Sequence, residues 1–287
     1  MNFELDKNQV DIKKKFAEIC KKEIAAASVE IDETESFPRK NLDILSESGF
    51  LSAPLNDSGF DYITSVAIGE DLAAACASTA ICVTSGIWIP YLVISNFGSA
   101  DAKSKWLDKL ISGKAIGSYS ISDPDGGHLS DVKVKADKDG SGVKINGKKA
   151  PVVNGAAADL SIVIARNEDG SLVAFVAEKG MSGFSAGKRI RTMGLRGAQV
   201  AELSFENCVI AKENILGSGN DGEEIASFMV RIARLFTSIL AVGISAASYA
   251  AAKNRAETRI SGGKPIGAYQ EISFRIADIY IETDTTR

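Results

Sequence analysis

Apolar residues in the first 114 positions recur at three- and four-residue steps, the period of helices packed on one face. Ile12, Phe16, Ile19, Cys20 and Ile24 share one side of a first helix whose other side is lysine-rich. A second, short helix is predicted from Pro38, a residue tolerated in a first helical turn, to a stop at Gly49. A third covers about 62–77, the most apolar run (80–95) follows, and a helix over 102–111 ends at Gly113. The pattern predicts a helical N-terminal domain over 1–114.

Beyond residue 115 the period falls to two. Val132, Val134 and Ala136 alternate with polar residues, KDGSG makes a turn, and Val143 and Ile145 alternate again, as in a hairpin. Residues 161–165 and 172–177 repeat this across NEDG. The stretch 193–217, MGLRGAQVAELSFENCVIAKENILG, reads as a tight turn followed by an edge or hairpin strand leading out of a sheet. An antiparallel β-sandwich or barrel is thus predicted for a middle domain over 115–221.

The glycine-rich link GSGNDG then opens a long helix in which Ile225, Met229, Ile232, Phe236, Ile239 and Val242 keep helical spacing to about residue 256. Small residues from Ala241 to Ala247 permit close helix packing. A second helix begins near Ala268, with Ile272, Ile276 and Ile279 in phase. The expected fold class is therefore α+β: helical domain, β domain, and an incomplete C-terminal helical bundle over 222–287. Two such helices leave apolar faces uncovered, so either a partner chain completes the bundle or the chain is a piece of a longer protein.

Composition narrows the function. With 287 residues, 45% hydrophobic and 24% charged, and a formal charge of −4, this reads as an ordinary globular chain. It has no basic stripe with interleaved aromatics, so nucleic acid is not an expected partner. Four scattered cysteines (Cys20, Cys76, Cys82, Cys208) and a single histidine, His128, argue against a metal site and against Ser/His or Cys/His catalysis. The N-terminus lacks the apolar core of a signal peptide, and the run 80–95 is too short for a span of about 20 residues and holds Gly86 and Pro90. A kinked core helix, no membrane span and a cytoplasmic location are expected.

Four motifs, in order, resemble those of the acyl-CoA dehydrogenases. YSISDPDGG (Tyr119 to Gly127) resembles the flavin loop, usually an aromatic or apolar residue and then T-E-P-x-A-G-S-D. GKKAPVVNGAAAD (Gly147 to Asp159) resembles G-x-K-x-W-I-T-N-G-x-x-A-D. MGLRG with FENCVIAKENILG resembles the strand leaving the β domain. RISGGKPIGAYQ (Arg259 to Gln270) resembles R-x-x-F-G-K-P-I-x-x-F-Q. The resemblance covers essentially the whole chain.

It implies an FAD-dependent oxidoreductase that introduces a double bond beside a thioester of CoA or a carrier protein. The expected electron acceptor is an electron-transfer flavoprotein or similar carrier, and the expected assembly a homo-oligomer, such as a homotetramer. Cofactor contacts carried over are Tyr119, Ile121, Ser122, Gly127, His128, Val152, Val153, Arg259, Ser261 and Gln270, and Arg259 resembles the arginine that reaches FAD phosphates from a neighbouring subunit. His128, Arg231 and Arg234 are the expected substrate contacts. Pro151 and Val153 replace the usual Trp and Thr against the flavin, Gly262 replaces a Phe, and Arg231 stands where an aspartate sometimes does. Ala233 occupies the place where some members keep the glutamate base. No catalytic residue is therefore expected in this chain, and the base is expected beyond Arg287. Two alternatives remain open: a non-catalytic flavin- or acyl-binding subunit completed by a partner chain, and a flavin monooxygenase-type relative of the same fold.

Overall fold

The computed structural model describes residues 4–140 and 142–287. Helix α1 (Lys7–Ile19) opens on a capping box in which Asp6 accepts from Gln9 N at 2.8 Å and Gln9 accepts from Asp6 N at 3.0 Å. The helical path continues through a π-type turn (Cys20–Ile24) and a 3₁₀ turn (Ala25–Ala27) into α2 (Ser28–Thr34). The predicted apolar face holds: Phe16, Cys20, Ile24 and Ile31 are buried in the main core. α3 (Arg39–Glu47), a two-residue hairpin of β1 (Leu55–Asn56) and β2 (Gly59–Phe60), and α4 (Tyr62–Ala75) follow. Asp61 caps α4 by accepting from Ile63 N and Thr64 N.

The expected kink in the apolar run is a widened turn. α5 (Ala77–Val83) and α6 (Ile89–Phe97) are joined by a π-type stretch, Thr84–Trp88. Pro90 has no N–H to give and its ring crowds the carbonyl four residues back, so a looser turn ahead of it relieves both problems. Residues 77–97 are long and apolar enough to cross a membrane, yet 83% of their most apolar window is buried inside the protein, which makes this its central core helix. α7 (Ala100–Ile111), capped by Ser99, completes the helical layer.

One seven-stranded sheet follows, built from β3 (Gly117–Ser120), β4 (Lys135–Asp139), β5 (Gly142–Val152), β6 (Leu160–Asn167), β7 (Leu172–Glu178), β8 (Phe184–Arg189) and β9 (Ala201–Ile210). Its order is β3-β6-β4-β5-β9-β8, with β7 on the other side of β6. The expected antiparallel hairpins form, with Lys138 opposite Val143 and Val163 opposite Phe175. Two parallel pairings join them: β3 lies along Leu160–Val163 and β4 meets Arg166–Asn167. The first arises because β3 arrives from α7 rather than from a hairpin. β9 is paired on both sides, with β5 and β8, so it is a hairpin strand but not an edge; the exposed β8 takes the edge. The sheet curls until Phe175 and Phe205 meet edge-on at 6.1 Å. β6 and β7 are buried on both faces, one by this inner core and the other by helices, which explains their unbroken apolar runs.

α8 (Gly222–Thr258) lies along α4. A Cβ on Gly243 would stand 2.5 Å from the Ala73 Cβ, so the small-residue stretch of α8 does permit close packing. A short hairpin of β10 (Ile260–Ser261) and β11 (Lys264–Pro265) turns the chain into α9 (Gln270–Thr286). Ile272, Ile276 and Ile279 are half-buried, while Phe274, Tyr280 and Ile281 are exposed. The cysteines are free and buried, and no cluster of metal-ligating side chains exists among the described residues.

Two contacts lock the helical layer to the sheet. At the first, a Cβ on Gly117 would lie 2.7 Å from Pro90 Cγ and 3.0 Å from the Gly86 carbonyl, so the β3 backbone rests on the proline ring and that carbonyl. At the second, Glu35, in left-handed conformation after α2, receives the side chains of Arg189, Arg191 and Arg196, and its carbonyl accepts from Gln199 Nε2 at 2.8 Å.

Gly117→Ala is expected to cost about 1–3 kcal/mol by overpacking, read as a lower urea midpoint at unchanged slope. Arg196 first, then Arg191, hold the Glu35 carboxyl below its ordinary value. A depressed carboxyl stabilises the fold above the unfolded value of about 4.3 and loses that contribution as pH falls through the folded value. Denaturation midpoints followed from pH 6 down to about pH 3 should therefore fall less steeply in Glu35→Gln than in the parent.

Candidate functional site

Strand alternation decides which way β3 and the residue after it point. Ser118 and Ser120 face the sheet and are buried, whereas Tyr119 and Ile121 turn toward α8 and are half-buried against the helical core. Opposite them, Val230, Ala233, Arg234, Thr237 and Ser238 form one helical face, and the two sides enclose a cleft of about 530 Å³. Burial pushes the Tyr119 hydroxyl above its ordinary value, partly offset by a hydrogen bond with Ser85, so it stays a neutral phenol at physiological pH. The Thr237 and Ser238 hydroxyls donate to the carbonyls of Ala233 and Arg234, which leaves them as acceptors toward the cleft. Among the described residues, no carboxylate and no histidine lines it.

The loop after β3 is held from beneath. Lys149 Nζ donates to the Ile121 carbonyl at 2.7 Å and pairs with Asp123 Oδ1 at 2.6 Å. Both side chains are almost wholly buried. The other Asp123 oxygen accepts from Lys133 N and from Val134 N, the latter at 3.1 Å. Burial pushes the Lys149 ammonium down in pKa and Asp123 offsets part of that. Ser122 O accepts from Ala150 N at 3.2 Å, tying the loop to β5. Neither Lys149 nor Asp123 was among the expected site residues, although Lys149 fills the lysine position of G-x-K-x-W. That position is a support for the loop backbone.

The remaining expected residues separate. Ser122 is half-buried beside the cleft loop, and His128 is exposed with Nδ1 at 2.9 Å from Ser130 Oγ. At Gly127 a Cβ would meet nothing closer than 3.5 Å; the steric need for glycine falls on Gly126, where a Cβ would stand 2.7 Å from that of Asp131. Val152 points into the inner core of the sheet, so its side chain faces away from any ligand in the cleft, while Val153 is half-buried and Pro151 exposed. Arg231 and Arg234 are both exposed on α8. Arg259, Ser261 and Gln270 are exposed at the far end of α8. Arg259 caps that helix 25 residues after Arg234, or about 37 Å away at ~1.5 Å per residue. They cannot reach the cleft of their own chain.

Because the buried pair is complementary, removing one partner is the damaging change. Lys149→Met is expected to destabilise the fold by about 3–5 kcal/mol in urea denaturation, and adding Asp123→Asn to recover most of that loss.

Residues 6–114 match the family model described as acyl-CoA dehydrogenase, N-terminal domain, and residues 118–208 match the one for the middle domain. The chain is 33% identical over 296 residues to the mitochondrial 2-methylacyl-CoA dehydrogenase of Solanum tuberosum, covering 99% of this chain and 71% of that one. Butyryl-CoA dehydrogenase from Megasphaera elsdenii is similar in structure, with a TM-score of 0.93, 29% identity, and 99% and 78% of the two chains covered. A protein described as an FAD-dependent dehydrogenase aligns with a TM-score of 0.89 at 28% identity, covering 99% and 77%. With both domain models matched in order along most of its length and a relative at this identity, the chain belongs to the acyl-CoA dehydrogenase family.

Proposed function

We propose that this chain binds FAD in the cleft between β3 and α8 and takes part in α,β-dehydrogenation of an acyl thioester carried by CoA or a carrier protein. The observation that carries this is the cleft itself, where Tyr119 and Ile121 of the flavin-loop motif face the long-helix residues Ala233 and Arg234. Apolar walls on both sides suit a flat ring system, and the buried Lys149–Asp123 pair holds the backbone beside it rigid. The butyryl-CoA and FAD-dependent dehydrogenases named above support the same assignment.

FAD, when bound, supplies a two-electron acceptor for hydride. The chain's own residues form the slot, exclude water from it and orient the thioester along α8. In a division into 1–114, 115–221 and 222–287, the residues that line the cleft belong to the second and third units. Arg259 lies about 31 Å along α8 from Ser238, the last of the helix residues lining the cleft, and Ser261 and Gln270 follow it, which favours a homo-oligomer in which they serve the cofactor of a second copy. No carboxylate lines the cleft among the described residues, so the base that takes the α-proton is not one of those lining side chains. Reoxidation by an electron-transfer flavoprotein completes the proposal.

One observation favours a second role. Ala233 and the carboxylate-free cleft suit a subunit that binds flavin and thioester without turnover. Mixing the purified chain with FAD and then butyryl-CoA separates the two. Retention of flavin on gel filtration is expected, with affinity about tenfold weaker in Tyr119→Ala after loss of one apolar wall. Bleaching of the flavin on adding butyryl-CoA supports dehydrogenation, and a spectral shift without bleaching supports the binding subunit. A chain that retains no flavin sinks both.

A further inference from the structure

A second, smaller cavity of about 110 Å³ lies behind β3, on the face opposite the cleft. Ser118 of β3 and Ser161 of β6 line it, and the two are direct partners in the parallel pairing, so both side chains stand on one face of the sheet. Strand spacing sets them about 5 Å apart. Both residues are almost wholly buried, and neither hydroxyl has a hydrogen-bond partner. An unpaired buried hydroxyl is costly, and two of them on neighbouring strands beside one cavity require a shared partner. Water meets that need poorly. Most other walls are apolar, Ala158, Phe184 and Leu203 among them, whereas a buried water needs about two to four polar partners. The exposed Lys179 and Ser185 stand at the mouth. Among the described residues, Lys179 forms no ion pair and no acidic side chain lines the cavity.

We propose that this cavity is a second binding site, for a small aliphatic carboxylate of about two or three carbons held by Ser118, Ser161 and Lys179. A carboxylate only accepts, and its two oxygens take one O–H each from the two serines. Hydrogen bonds to an ionised acceptor are the stronger kind, so the pair offsets the desolvation of an anion. The Lys179 ammonium, on its flexible stem, supplies the counter-charge from the mouth. The alkyl end lies against Phe184 and Leu203, walls that phosphate or bicarbonate would leave unused. Size sets the upper limit: a dry cavity of about 150 Å³ holds benzene, so this one admits about four or five heavy atoms. Ser118 and Tyr119 are neighbours on β3, so the occupant sits back to back with the cleft across one strand. The site is independent of whatever fills the cleft.

The test titrates propionate into the chain by calorimetry at constant ionic strength, with propionamide, phosphate and bicarbonate as comparisons. Saturable binding of one propionate is expected, with propionamide about tenfold weaker, the order of one charge-assisted contact. Lys179→Gln, an exposed change, should weaken propionate about tenfold and leave the thermal midpoint of the unliganded chain unmoved. Ser161→Ala should weaken it by a similar factor, yet the unliganded variant should unfold no earlier than the parent, because it loses a hydroxyl that had no partner. A serine with a purely structural role would lower that midpoint instead. Arg234→Gln alters the cleft and should change nothing; loss of propionate binding there moves the ligand to the cleft and overturns the proposal. Absence of saturable binding, equal binding of propionamide, tighter binding of phosphate or bicarbonate, or undiminished binding by Ser161→Ala and Lys179→Gln overturns it as well.

Discussion

The seating of β3 on the central core helix is the constraint on which the rest depends. Gly117 meets the Pro90 ring and the Gly86 carbonyl at a distance that leaves no room for a side chain on the strand, so the strand backbone itself touches the helical layer. With that contact made, the alternation of β3 has one outcome: Tyr119 points to α8 and Ser118 and Ser120 point into the sheet. A displacement of β3 by one side-chain width would close the cleft or open it to water. The π-type turn at Thr84–Trp88 lets the same helix hold Pro90 and still present Gly86 to the strand.

Electrostatics then divide into two kinds. Glu35 with its arginines and Asp123 with Lys149 are charges consumed by structure: one joins α2 to the β8–β9 connection, the other braces the loop that follows β3. Each braces the backbone around it. Arg234, exposed on α8, lines the cleft and forms no ion pair among the described residues. The cleft combines apolar walls, hydroxyls bound to helix carbonyls and one cation, Arg234. Among the described residues, no carboxylate and no histidine lines it.

Most of the architecture was legible in the sequence because it is a matter of period. The three-and-four spacing of Phe16, Cys20 and Ile24 and the alternation of Val143 and Ile145 report local geometry, and local geometry is what they became. The Tyr119, Ile121 and Arg234 positions were readable through family motifs, and the fold brings these three together. Lys149 was not readable as a buried residue, since it lies among lysines and only its partner Asp123, 26 positions earlier, makes its burial tolerable.

The sequence by itself therefore determined the class of each segment, the order of the three units and the family, because these depend on neighbours within a few residues. Tertiary structure decided the parallel pairings of β3 and β4 with β6, the interior place of β9, the inward turn of Val152 and the exclusion of Arg259, Ser261 and Gln270 from their own cleft. Those outcomes depend on which distant strand lies alongside and on how far a rigid helix carries its end. Neither leaves a trace in local periodicity.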